Sequence, residues 1–309
     1  MANLDKFGIK TIFHVIVGIG ILIIAALLSS LPFDMFYIIT KIELPFQLLI
    51  IVKSILNIAI LFLLIYLYAV KLLKMPWNDF RVCKTKSFML WILCAAALPL
   101  AVSAFFILLT PGTFADSNLD SRLITLRIIN AVFGICLTAG ITEEIIFRGF
   151  IMRLLEVRWN KYVAIIAPSV LFGLLHIFNM ESPNIVDILM LLIAGTSVGI
   201  MFSMIAYQSG SIWPGAAVHG IWNLIIIGGI LEISVEPGNS IFTYTLGSQS
   251  TLLTGGKFGI ESSIPAIIGY GIVILISVIL ISRTTSRNTK TGFHRKNAIP
   301  TEKGEDRDE

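Results

Sequence analysis

Four polar side chains able to act on a peptide bond stand in segments that otherwise read as membrane helix. They are Glu143 in "GITEEIIFRG", His176 in "LFGLLHIFN", and His219 and Asn223 in "AAVHGIWNL". A carboxylate and imidazoles around a polar cavity can take a proton from water, and an amide or second imidazole can stabilise the oxyanion formed when that water attacks a carbonyl. An ionisable residue inside a membrane bundle marks a functional site when no local partner neutralises it. Glu144 has such a partner, because Arg148 follows at i+4 on the same helix face in the favourable acid-before-base order. Glu143 has none. Adjacent helical positions point about 100° apart, so Glu144 is expected to pair with Arg148 as scaffold while Glu143 addresses a different partner.

The search for that partner is short, since the chain has four histidines, of which His14 lies near the first interface and His294 near the carboxyl end. Glu143 precedes Arg158 by as many residues as His176 follows Lys161, which places both about 22 Å along their helices from one basic connection. His219 and Asn223 are one turn apart on a helix that starts from the same face. Three helices thereby bring Glu143, His176, His219 and Asn223 to one depth. Phe172, one turn before His176, is expected to pack the site rather than react.

These positions require a membrane bundle around them, and the composition supplies it. Of the 309 residues, 56% are hydrophobic and 14% charged, against roughly 25% charged in soluble domains, and the mean hydropathy is +0.88. Spans of about 20 apolar residues are expected near 11–31, 47–70, 88–109, 124–146, 162–178, 185–207, 212–231 and 262–282. The fold class is an all-α polytopic bundle of about eight transmembrane helices. Basic residues gather in the connections at 71–86 and 153–161, before the first span and after the last; by the positive-inside rule both termini are cytoplasmic, and the host membrane is the cell membrane. Water and substrate are expected to enter from that basic face. Residues 283–309 read as a charged, disordered tail. Cys83, Cys94 and Cys136 show no CxxC spacing, and no basic, aromatic-interleaved patch suggests nucleic acid.

The ordered motifs "EEIIFR", "FGLLH" and "HGIWN" resemble the EExxxR, FxxxH and HxxxN signatures of the CAAX-protease and bacteriocin-processing family of intramembrane endopeptidases, which includes the type II CAAX prenyl endopeptidases. The resemblance divides the chain into amino-terminal helices (1–125), a protease core (126–231), an outer loop with the last helix (232–282) and the tail. It implies that Glu143 activates the water, His176 assists, and His219 with Asn223 forms the oxyanion site, while Glu144 and Arg148 stabilise the core. Its implied substrates are membrane proteins, lipidated proteins or peptides, processed at a CAAX-type end or a leader peptide. Glu143, His176 and His219 also match the ligand count of a catalytic zinc; with HExxH absent, no metal cofactor is the favoured reading, and zinc the alternative. Two other functions stay open. One is a proton-coupled transporter, for which no inverted repeat is visible; the other is a non-catalytic immunity or sensor protein of the same fold.

Overall fold

A computed structural model describes residues 8–85, 87–115, 119–236 and 238–296. It contains α1 (Gly8–Thr40), α2 (Phe46–Leu72), α3 (Phe88–Leu109), α4 (Ser121–Arg158), α5 (Lys161–Asn179), α6 (Ile185–Ser209), α7 (Trp213–Ile227) and α8 (Ile264–Lys296). Among the described residues, seven of these are long and apolar enough to cross a bilayer. The span expected at 212–231 is α7, whose length of about 22 Å falls short of the roughly 30 Å hydrocarbon thickness. α8 continues as helix to Lys296, into the segment assigned to the tail; residues 297–309 and Lys6 lie outside the described residues.

Local chemistry explains the helix ends. Asp120 accepts the Leu123 N–H ahead of α4, Asn160 accepts the Tyr162 and Val163 N–H groups at α5, and Asn184 with Asp187 forms a capping box on α6. Gly210, at φ +67°, stops α6 in the left-handed conformation. α4 is interrupted by two π-helical stretches, Asn130–Leu137 and Ile145–Ile151, and Glu143 and Glu144 lie between them.

The reading as all-α omitted a small sheet. β1 (Gly112–Ala115), β2 (Leu231–Ser234) and β3 (Phe242–Leu246) are ordered β1-β3-β2, with β1 antiparallel and β2 parallel to β3. It joins the connection after α3 to the long connection between α7 and α8, at the end of the bundle opposite the basic loops. At the basic end, Arg81 pairs with Glu156 at 2.7 Å and Arg153 with Asp79 at 3.0 Å. Tyr207 donates to Glu156 at 2.8 Å, and Arg81 Nη1 donates to the Arg148 carbonyl.

Two hydrophobic cores stand side by side. One joins α1, α2, α4 and α5 around Leu61, Phe80, Phe147, Phe150 and Phe172; the other joins α3, α6, α7, α8 and the sheet around Trp91, Phe106, Phe202, Trp222, Tyr244 and Tyr270. Large apolar side chains such as Ile9, Leu108 and Ile193 face outward, as a lipid-contacting surface requires. Without a solvent-driven hydrophobic force between helices in lipid, close backbone approach does the packing. α4 and α7 meet this way: a Cβ on Gly220 would lie 2.8 Å from the Cys136 carbonyl, and one on Gly140 would lie 2.9 Å from the Ala216 carbonyl.

Gly220→Val should therefore force α4 and α7 apart and lower stability by about 1–3 kcal/mol, the usual cost of overpacking, read as a lower melting temperature in detergent. Gly271→Ala, which meets nothing within 4 Å, should leave it unchanged or slightly raised; equal losses in both variants would refute the close-approach account.

Candidate active site

The site forms at the seam between the two cores. Glu144 and Arg148 are 0% and 1% exposed, and Arg148 Nη1 donates to Glu144 Oε1 at 2.9 Å. Arg148 Nη2 reaches the Gly199 carbonyl on α6 at 3.2 Å, and the guanidinium lies 4.9 Å from the Phe172 ring centre and 5.0 Å from that of Phe202. The pair expected from the i+4 spacing is thus present, desolvated and bracketed by aromatic faces. Gly215 makes room for it, because a Cβ there would sit 2.9 Å from Glu144 Oε2.

The expectation that Glu143 and Glu144 address different partners is corrected. His219 Nδ1 lies 3.2 Å from Glu144 Oε1, while its Nε2 lies 3.9 Å from Glu143 Oε2. Diverging carboxylates meet opposite edges of one imidazole because the ring carries two nitrogens and approaches from α7 between them. The ring is buried, stacks on Phe202 at 4.8 Å and meets Phe172 edge-on at 6.0 Å. A carboxylate at Nδ1 fixes a hydrogen there, so Nε2 is the nitrogen presented to Glu143.

His176 sits at the end of α5, its Nδ1 bonded to the Phe172 carbonyl at 2.8 Å. A carbonyl only accepts, so Nδ1 carries the hydrogen and Nε2 keeps its lone pair. Phe172 packs 4.4 Å from this ring, the packing role expected of it. Glu143, His176, His219 and Asn223 all line one cavity of about 430 Å³. Among the described residues, the buried Glu143 Oε2 has no hydrogen-bond partner, which leaves that oxygen available to a water molecule.

Other residues of this cavity went unread in the sequence. Trp222, Lys257, Phe258, Glu261 and Tyr270 line it with the four above. Phe258 faces His176 edge-on at 6.2 Å. Residues 257–261 belong to the connection before α8, so the lining runs toward the face opposite the basic loops, away from the expected entry. Their local signal was slight: Trp222 lies inside "HGIWN", and Glu261 is a single carboxylate just ahead of a span. Burial pushes the Glu261 carboxyl up to about 8, partly opposed by a hydrogen bond from Trp222.

As to metal, Glu143 Oε2 and His219 Nε2 stand 3.9 Å apart, and the Nδ1 bond of His176 to the Phe172 carbonyl leaves its Nε2 free. Among the described residues no group of three or more His, Cys, Asp or Glu side chains is arranged to hold an ion. The proposed zinc ligands do not fit a three-ligand set in this arrangement.

The ordered motifs and their convergence on one cavity call for comparison with known families. Residues 125–225 match the Rce1-like family of type II CAAX prenyl endopeptidases. The Rce1-like segment contains Glu143, His176, His219 and Asn223 and bears out the resemblance drawn from the three motifs. It covers about a third of the chain and stops short of the sheet, Glu261 and α8. Searches of curated proteins and of solved structures give no match.

Two outcomes follow. Glu144→Ala should cost roughly 3–5 kcal/mol, since it leaves Arg148 buried without its counter-ion, seen as loss of folded yield and a lower melting temperature; an unchanged melting temperature would remove the pair from the scaffold. Glu261 has a folded-state pKa above its ordinary value of 4.5, so it binds more protons folded than unfolded between pH 4.5 and 8. Its contribution to stability is full below that window and is lost as pH rises through it. Melting temperature should fall between pH 5 and 8 in wild type and less steeply in Glu261→Gln; parallel curves would show that Glu261 titrates normally.

Proposed function

We propose that this chain is an intramembrane endopeptidase that cuts a membrane-associated or lipidated protein or peptide, using water activated by Glu143 and His176. The observation that carries this reading is the convergence of Glu143, His176, His219 and Asn223 on one partly polar cavity inside an Rce1-like segment, with the tautomers of both imidazoles set by neighbours. A single buried acid or histidine would not carry it.

The water donates one hydrogen to Glu143 Oε2 and the other to the free Nε2 of His176, which aims its lone pair at the scissile carbonyl. As its oxygen attacks, negative charge moves to the carbonyl oxygen. Asn223 and Nε2–H of a doubly protonated His219 donate to that oxyanion. Glu144 supports this form of His219, because its carboxylate faces Nδ1 from inside the scaffold. Glu143 then passes the proton to the departing amine as the C–N bond breaks, and the new carboxyl end leaves. With His219 charged, Glu143, Glu144, Arg148 and His219 sum to zero net charge, the balance a low-dielectric interior demands. The scattered approach of the zinc candidates supports a metal-free step. CAAX-type and leader-peptide substrates are both compatible with a site of this size.

Glu143→Gln and His176→Ala should each lower cleavage of a fluorogenic membrane peptide at least about a hundredfold, as loss of one member of a cooperating set does, with the melting temperature largely kept. His219→Ala should lose activity and also melt lower, because it empties the buried joint against Glu144 and Phe202. Wild-type activity should persist after divalent ions are removed and metal content is checked by elemental analysis. Full cleavage by folded Glu143→Gln would sink the mechanism; activity lost on stripping and restored by zinc would replace the metal-free step.

A further inference from the structure

The connection from Gly255 to Ser263 lines the cavity through Lys257, Phe258 and Glu261. Gly255 and Gly259 adopt φ of +81° and +90°, and between them Lys257 and Phe258 are turned into the cavity lining. Lys257 is anchored: its backbone N–H bonds Asp187, and its ammonium reaches the Ser182 carbonyl at 2.7 Å. Glu261 follows, held at its backbone by Tyr270 Oη, which donates to its carbonyl at 3.0 Å, and at its carboxyl by Trp222. Trp222 and Tyr270 pack edge-to-face at 5.3 Å.

Among the described residues, Glu261 takes part in none of the ion pairs, since the nearby ammonium of Lys257 is committed to backbone carbonyls. A carboxyl group lining a cavity beside the aromatic faces of Trp222, Tyr270 and Phe258 is the chemistry that receives an organic cation, through charge pairing and cation–π attraction together. Among the described residues, none supplies that cation. We propose that Glu261 is the specificity-determining residue of the cavity and receives a lysine or arginine side chain of the peptide, close to the bond that is cut. Proximity to that bond follows from the shared cavity, which Glu261 lines together with Glu143, His176, His219 and Asn223. The upward shift of the Glu261 carboxyl by burial agrees with this: a buried carboxyl without a charge partner keeps its proton, and an arriving cation displaces it.

The inference deepens the endopeptidase reading and rests on it for the identity of the ligand as substrate, so binding and cleavage are measured separately. Full-length protein in lipid nanodiscs would be titrated against fluorescein-labelled peptides that differ at one residue, carrying lysine, norleucine or glutamate there, with that residue walked along the peptide. Anisotropy gives binding, and product analysis gives cleavage. At one position the lysine peptide should bind roughly tenfold tighter than its norleucine counterpart, the scale of a partly desolvated cation–π and charge contact, and the glutamate peptide weakest. Glu261→Gln should erase that preference, raising KM for the lysine peptide more than it changes kcat, since the lost charge meets a substrate side chain and not the reacting atoms. Equal binding of the three peptides by wild type would overturn the proposal without recourse to any variant, and so would a lysine preference that survives in folded Glu261→Gln. Cleavage with no cation preference leaves the endopeptidase standing and removes this role of Glu261. A Glu261-dependent cation preference without cleavage of any peptide does the reverse.

Discussion

An ion pair in a bilayer interior is tolerated when its charges are matched and neighbouring groups bond to it, and the Glu144–Arg148 pair sets that constraint here, with Glu144 Oε2 and Arg148 Nε left unbonded among the described residues. One oxygen, Glu144 Oε1, receives both Arg148 and His219, and the other end of Arg148 is held by the Gly199 carbonyl. Three helices are therefore tied at one buried point: α4 carries the pair, α6 supplies the carbonyl and α7 supplies the imidazole. The orientation of His219, and with it the nitrogen turned toward Glu143, follows from its bond to the Glu144 oxygen that Arg148 also holds. The same burial that makes the pair costly to break makes its geometry unambiguous.

The two-core arrangement gives this joint its place. Phe172 belongs to one core and Phe202 and Trp222 to the other, and His219 is caught between Phe172 and Phe202. A cavity at the seam of two well-packed halves can be partly polar without weakening either. The glycine contacts between α4 and α7 serve the same end, since a wider separation would carry His219 out of reach of both glutamates. The sheet, short as its strands are, ties the connection after α3 to the one that lines the cavity.

Much of this was legible in the residues. Long apolar runs gave the helices, the i+4 spacing gave the buried pair, and equal distances from one basic connection placed Glu143 and His176 together. The sharing of His219 by both glutamates was not legible, because helical angles describe where side chains start and not where a two-nitrogen ring from another helix can meet them. Glu261, Lys257 and Phe258 were hidden for a different reason. They sit in a connection without periodicity, and their partners Trp222 and Asp187 are tens of residues away, so no local pattern announces them. The sheet was missed on the same ground: four- and five-residue strands such as "LEIS" and "FTYTL" are too short for alternation to stand out from the glycine- and serine-rich chain around them. The brevity of α7 was masked by apolar residues running on beyond its end.

The π-helical stretches on either side of Glu143 and Glu144 have a meaning for how such a chain can vary. A π turn accommodates one residue more than the α turn it replaces, while the helix on each side stays continuous. Loss of a single residue from Asn130–Leu137 or Ile145–Ile151 is absorbed there as a return to α turns, whereas loss of one residue from an α-helical turn of α4 leaves a helix of nearly the same length but rotates one part against the other by about 100°. The span would still insert in a membrane and still look intact by hydropathy. Its carboxylates, however, would face lipid or a neighbouring helix instead of His219, so in this molecule a one-residue length change within an α-helical turn is as disabling to the site as replacement of an acid.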